Sequence, residues 1–209
     1  MYSDEAAWIA EQGFAAAVID YRLAPLYPFP AAVQDTQSFM RYARENSNVL
    51  KIDPARIAAF GNSAGGHLAC MLGLCDDTFG IESDTSHKVN AVIDVCGLTD
   101  MRDPGETQYD ISFSFIEQFL GGMYAGNEDK YAAASPLAHI DESDCPFFIA
   151  HGMMDDVVPP TQSSKLHEAL TANGVKSTLL ELPHDGHSFT YESWDKIREG
   201  YIAFLKEVF

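Results

Sequence analysis

The sequence predicts an α/β fold: a mostly parallel, doubly wound sheet of about five strands with helices on both faces. Three observations carry this. Short apolar runs alternate with helix-patterned segments along the 209 residues. The runs are apolar throughout instead of alternating with polar residues, as in strands covered on both faces. The length suits one core, so residues 1–209 are read as a single domain.

The opening MYSDEAAWIAEQG reads as a short helix, with Ser3 as N-cap, Asp4 and Glu5 in the first turn and Gly13 at the end. It lacks the basic and long apolar regions of a secretory leader. The strand candidates are FAAAVIDY (14–21), RIAAFG (56–61), VNAVIDVCG (89–97), PFFIAHG (146–152) and STLLEL (177–182). Helix candidates lie between and after them. PAAVQDTQSFMRYARENS starts at Pro30, and AGGHLACMLGLC sets Leu68, Met71, Leu72 and Cys75 on one face. TQSSKLHEALTANG runs from a Thr161 cap to a Gly174 stop. SWDKIREGYIAFLKEVF carries a stripe of Ile197, Tyr201, Phe204, Leu205 and Val208. Residues 98–144 are long for a connection between strands. They read as a crossover helix combined with a small cap insertion, whose Phe113, Phe115 and Phe119 would form a pocket wall.

Net charge is −18, from 31 acidic and 13 basic residues. That argues against nucleic acid and anionic membrane surfaces as partners and favours a small neutral substrate. No apolar run approaches the roughly 20 residues that span a bilayer. Cys70, Cys75, Cys96 and Cys145 form no C-x-x-C motif and read as reduced, mostly buried thiols of a cytoplasmic protein. His184 and His187 have the spacing of a ligand pair but no third ligand nearby, so no metal site is expected.

The stretch FGNSAGGHLAC, residues 60–70, carries the chemistry. Gly61-Asn62-Ser63-Ala64-Gly65 fits G-x-S-x-G, after a strand candidate and opening a helix candidate. A serine there stands on a sharp, strained turn that lifts its hydroxyl above the sheet. Gly61 and Gly65 would keep the turn free of clashes. The helix N-terminus would aim the Ala64 N–H at a developing oxyanion. A phosphate loop fits poorly, because the G-K-[ST] ending is absent. A bare structural turn is the competing reading.

A nucleophilic serine needs a base and a group to orient that base. In such sheets these collect at the carboxyl ends of strands. PFFIAHGMMDDVVPP delivers Asp155 and Asp156 there, and STLLELPHDGHSF delivers His184, Asp185 and His187. The residues alone leave both choices open. His67 and His151 lie beside motif residues and read as structural; His87, His139 and His167 carry no signal.

Four stretches together resemble the α/β-hydrolase serine esterases, near the hormone-sensitive-lipase-like carboxylesterases and the bacterial acetylxylan and feruloyl esterases. IDYRLAPLYPFPAAVQD is similar to the segment preceding their nucleophile helix. GNSAGGHLA resembles their nucleophile elbow, with Asn62 where Asp is common. HGMMDDVVPPTQSSKLHEAL resembles the acid-bearing segment, which implies Asp155 as the acid. HDGHSF resembles the histidine loop, which implies His187 as the base. The resemblance covers most of residues 14–209. It implies two-step acyl transfer by Ser63, His187 and Asp155, with Ala64 in the oxyanion hole and no cofactor or metal. Short acyl esters, of acetyl or feruloyl type on plant carbohydrate, are the implied substrates. Aryl-formamide or acyl-peptide hydrolysis is the alternative chemistry, and a non-catalytic binding domain the alternative class.

The family's H-G-G-G-like oxyanion loop, and the strand before it, have no counterpart in this sequence, which therefore reads as an N-terminally shortened member. Loss of one oxyanion donor costs about 10²–10³-fold in turnover. In the family that strand lies between those matching 14–21 and 56–61. The expectation is either a rearranged five-stranded sheet or a homo-oligomer that covers the edge.

Overall fold

Four of the five apolar runs become strands: β1 (Ala58–Asn62), β2 (Ala91–Val95), β3 (Phe147–Gly152) and β4 (Ser177–Leu182). They form one sheet in the order β1-β2-β3-β4, every neighbouring pair parallel. The computed structural model describes residues 2–209. Nine helices are described: α1 (Tyr2–Glu11), α2 (Ala31–Glu45), α3 (Ser47–Leu50), α4 (Ala64–Leu74), α5 (Pro104–Thr107), α6 (Asp110–Leu120), α7 (Glu128–Ala133), α8 (Thr161–Ala172) and α9 (Tyr191–Val208).

Strand composition follows from what covers each face. Val92, Phe147 and Ile149 turn one way, onto Met40 of α2, Ala69 and Leu72 of α4, and Leu166 and Leu170 of α8. Ala91, Ile93, Val95, Phe148 and Ala150 turn the other way, onto Ile197, Tyr201, Phe204 and Leu205 of α9. With apolar cover on both sides, both sets of alternate positions are mostly apolar, with Asp94 in β2 and His151 in β3 as buried polar exceptions. A third cluster joins α2, α4, α6 and α7 through Val33, Met71, Ile116, Leu120 and Tyr131. Helix α1 is tied to α9 by the buried Glu5 carboxylate, which accepts hydrogen bonds from Arg198, Trp194 and Tyr201.

The helix ends differ slightly from expectation. Ser3 lies inside α1 instead of capping it. Pro160, not Thr161, occupies the N-cap of α8, and Thr161 is its first residue. Gly174, at φ +79°, ends that helix as expected.

The segment 14–21 is the main departure. It joins no sheet, so the described residues form four strands where about five were expected, and no direct pairing with β1 takes place among them. Phe14 and Tyr21 anchor its ends in two different cores, while Ala15, Ala16, Ala17 and Val18 are exposed. A strand needs a ladder partner as well as a β-prone composition. This run has the composition without the partner, and β1 pairs through one edge only.

Residues 98–144 fold into α5, α6, α7 and a 3₁₀ turn at Pro136–Ala138. Buried Gln162 of α8 holds the start of this segment. Its Oε1 accepts the Thr99 and Asp100 N–H groups, and its Nε2 donates to the Asp100 and Thr107 carbonyls. Ser112 of α6 donates to the Val157 carbonyl at 2.6 Å, fastening the helix to the loop after β3.

Candidate active site

Ser63 sits between β1 and α4 at φ +54°, ψ −118°. A non-glycine residue held there costs about 1–3 kcal/mol, a strain found where a side chain must be aimed. Two contacts hold it: its N–H donates to Val95 O at 2.8 Å, and its carbonyl accepts the His67 N–H at 3.0 Å. Gly61 is required, because a Cβ there would lie 2.0 Å from the Gly65 carbonyl oxygen. Gly65 is not required for its own space, since a Cβ there meets nothing within 4 Å. This corrects the symmetric role expected of the two glycines. Ala64 is exposed and opens α4, so its N–H has no intrahelical acceptor.

The loops after β3 and β4 bring the other two groups. His187 Nε2 lies 3.0 Å from Ser63 Oγ, and His187 Nδ1 lies 2.8 Å from Asp155 Oδ2. Asp155 Oδ1 accepts the Val157 and Val158 N–H groups, each at 2.8 Å. Asp156 and His184 are exposed and take no part, so the geometry selects between the paired candidates. The two loops touch at Gly152, where a Cβ would come within 2.4 Å of the Gly186 carbonyl oxygen. Asp185 fastens the histidine loop to α9 by accepting the Thr190 N–H and the Ser193 hydroxyl.

Burial alone would push the Asp155 carboxyl upward. Hydrogen bonds from His151, His187 and the Val158 and Val157 N–H groups outweigh it and hold the carboxyl well below the usual range. These bonds favour the charged form of the carboxyl.

Cys96 and His151 are neighbours the sequence did not reveal. Cys96, at φ +45°, is buried and its Sγ accepts from Asn62 Nδ2 at 3.1 Å. Its thiol, Asp155 and His187 carry donor atoms within 4.8 Å of one another. Burial, with Asp94 and Asp155 nearby, pushes that thiol far up, and the Nδ1–Oδ2 hydrogen bond occupies the other two groups. His151 read as structural but touches Asp155 directly. His67 is structural as expected: it is buried, pairs with Ala134 O at 2.8 Å, and burial lowers it to about 4.

The proposed pocket wall is placed differently from expectation. The buried stripe of α6 is Ser112, Ile116 and Leu120, which leaves Phe115 66% exposed. Phe119 packs edge-on against Phe29 and His67. Phe113 lines a cavity of about 280 Å³ with Met123, Tyr124 and Tyr131. Instead, Tyr109, Ile111, Met153 and Met154 line the open cleft of about 600 Å³ beside Asp155. The aromatic run suggested a wall, but the helix rotation set by Ser112, Ile116 and Leu120 decides which side chains reach the acid loop.

Beneath the elbow, fully buried Asp94 accepts the Gly97 N–H at 3.0 Å. A Cβ on Gly66 or Gly97 would lie 2.3 Å from its Oδ1, so both glycines make room for it. Burial pushes this carboxyl up to about 6, against the lowering effect of the Gly97 and Cys70 hydrogen bonds. An unfolded aspartate titrates near about 3.9, so the folded chain holds the extra proton between about pH 4 and 6 and loses stability as pH rises through that window. Asp94→Asn removes this loss. Urea unfolding at about pH 4 and about pH 8 is expected to show the variant gaining roughly 3 kcal/mol on the parent over that interval. Parallel curves at both pH values would refute it.

Comparison with known proteins agrees with this architecture. The BD-FAE family model matches residues 1–170. The chain belongs to the BD-FAE family. Esterase LipC of Mycobacterium tuberculosis is 32% identical over 189 residues, which is 87% of this chain and 46% of LipC. The chain thus spans about half the length of that relative. Among solved structures, the thermophilic esterase Est2 of Thermogutta terrifontis superposes with a TM-score of 0.84 at 26% identity, covering 99% of this chain and 75% of that one. An acetyl ester-xyloside bifunctional hydrolase from Caldicellulosiruptor lactoaceticus gives a TM-score of 0.79 at 25% identity, covering 97% and 76%. This BD-FAE chain therefore has the α/β-hydrolase fold of esterases. Among its described residues no helix is long and apolar enough to cross a membrane.

Proposed function

We propose that the chain is a serine carboxylesterase that hydrolyses short-chain acyl esters. One observation carries this reading: the continuous hydrogen-bonded chain from Ser63 Oγ through His187 to the buried Asp155, standing at the N-terminus of α4. Ser63 Oγ attacks the ester carbonyl carbon while its proton passes to His187 Nε2. Asp155 supports the imidazolium through Nδ1–H, and the Ala64 N–H donates to the oxyanion. The tetrahedral adduct collapses as His187 returns the proton to the leaving alcohol oxygen. Water then attacks the acyl-Ser63 ester, giving its proton to His187, and the acid departs as Oγ recovers that proton.

The acyl group is small and the alcohol neutral, in keeping with a chain of net charge −18. Acetyl or feruloyl esters of plant carbohydrate are the substrate class proposed, supported by the structural likeness to an acetyl ester-xyloside hydrolase. Residues 98–144 act as a cap beside the site, with Tyr109 and Ile111 meeting the acid loop. The test is a panel of p-nitrophenyl acetate, acetylated xylo-oligosaccharide, aryl-formamide and acyl-peptide, run against the Ser63→Ala chain. Ester turnover confined to the parent supports the reading. Preference for the formamide or peptide replaces it.

The open edge of β1 also bears on assembly. An unpaired strand edge, in a chain that also leaves Ala15–Val18 exposed, is a template for pairing with a second copy. Light scattering on the eluting protein is expected to give a multiple of the 23.0 kDa chain mass. A single-chain mass would set the homo-oligomer aside.

A further inference from the structure

His151 lies in β3, is 1% exposed, and is surrounded by polar partners. Its Nδ1 is 2.7 Å from Ser163 Oγ, while its Nε2 is 3.2 Å from Asp155 Oδ2 and 3.1 Å from Val158 O. A carbonyl and an ionised carboxylate only accept, so the hydrogen between them must sit on Nε2. In the uncharged ring Nδ1 is then an acceptor, and the Ser163 hydroxyl fills it. One tautomer satisfies every partner.

The consequence falls on Asp155. Its Oδ1 takes two backbone N–H groups, and its Oδ2 takes one imidazole N–H from His187 and one from His151. A carboxylate offers about four lone-pair sites, and four donors occupy it. His187 is the member of this set that exchanges a proton with Ser63 during turnover, so it is a poor anchor for its own partner. His151 also holds Oδ2 and is itself held by α8 through Ser163.

We propose that His151 is a positioning residue of the triad: with Ser163 behind it, it fixes the orientation of Asp155 Oδ2 that His187 requires. This rests on the triad reading above. A merely structural His151 would fill space between β3 and α8 and act on stability alone.

The test uses the full chain with His151→Leu, which keeps bulk and removes the donor, and His151→Gln, whose amide keeps an N–H at comparable reach. Turnover of p-nitrophenyl acetate, thermal melts and the low-field proton resonance of the His187 Nδ1–H are measured on each. A misplaced orienting group costs about 10²-fold, so His151→Leu is expected to lower kcat by that order with KM little changed. His151→Gln recovers most of the loss, and the resonance moves in His151→Leu but not in His151→Gln. Equal activity in both variants overturns the proposal, as does an unchanged resonance in folded His151→Leu. If the parent shows no Ser63-dependent turnover, the esterase reading fails by itself. The resonance comparison then still decides whether His151 positions Asp155.

Discussion

Ser63→Ala is expected to lower turnover of p-nitrophenyl acetate by at least about 10⁴-fold, to the level that binding and the oxyanion donor alone sustain. In the proposed mechanism the removed Oγ forms the new bond, so the loss is expected in kcat, with KM nearly unchanged. Alanine keeps the Cβ and therefore the strain of φ +54° at this position. The variant accordingly melts with the parent, within about 0.5 kcal/mol, as expected for a change that opens no cavity and strands no buried group. Measuring kcat, KM and the melt together separates loss of the nucleophile from loss of the fold. Retained activity in a folded Ser63→Ala would place the nucleophile elsewhere and end the esterase reading of this site.

Asp155→Asn is expected to have the second large effect, about 10⁴-fold in kcat, through the tautomer of His187. The amide has one acceptor oxygen where the carboxylate has two. Val157 and Val158 both donate at the Oδ1 side, so the asparagine oxygen settles there and the NH₂ turns toward His187 and His151. His187 must then accept at Nδ1 and carry its proton on Nε2, where it cannot take the Ser63 proton. A stability signature accompanies the kinetic one. The Asp155 carboxyl is held below its ordinary value, so its contribution is fully present above about pH 4, near the unfolded carboxyl, and fades as pH falls toward the folded value. The parent's advantage over Asp155→Asn in urea unfolding is therefore expected to shrink on acidification below about pH 4. An advantage independent of pH would show that the hydrogen bonds seen at Oδ1 and Oδ2 do not favour the charged form.

Much of the fold was legible because burial on two faces leaves a direct trace in composition. VNAVIDVCG and PFFIAHG are apolar at successive positions because α4 and α8 cover one set and α9 the other. FAAAVIDY carries the same trace yet forms no strand, since composition records a preference for a pleated, covered surface and not the presence of a partner edge. The phenylalanines of α6 do not line the cleft beside Asp155 for a related reason, although Phe113 lines a second cavity. Their spacing shows an amphipathic helix, while the angle at which that helix faces the acid loop is set by Ser112 bonding to the Val157 carbonyl.

By itself, the sequence determined the elbow and the order of β1 to β4 with α2, α4, α8 and α9 between and around them. Gly61 before Ser63 and a helix after it are local demands, met by residues adjacent in the chain. Those demands act over a few bonds, so a short motif records them. Tertiary structure decided what depends on residues brought together from distant places. Ser63 and His187 are 124 positions apart, and His151 reaches Asp155 only because the loop after β3 curls back over its own strand. The cleft wall of Tyr109, Ile111, Met153 and Met154 likewise joins the start of α6 to the acid loop. A buried imidazole becomes a structural filler or an anchor for the acid according to which atoms fold around it, and that choice is made by packing across the sheet.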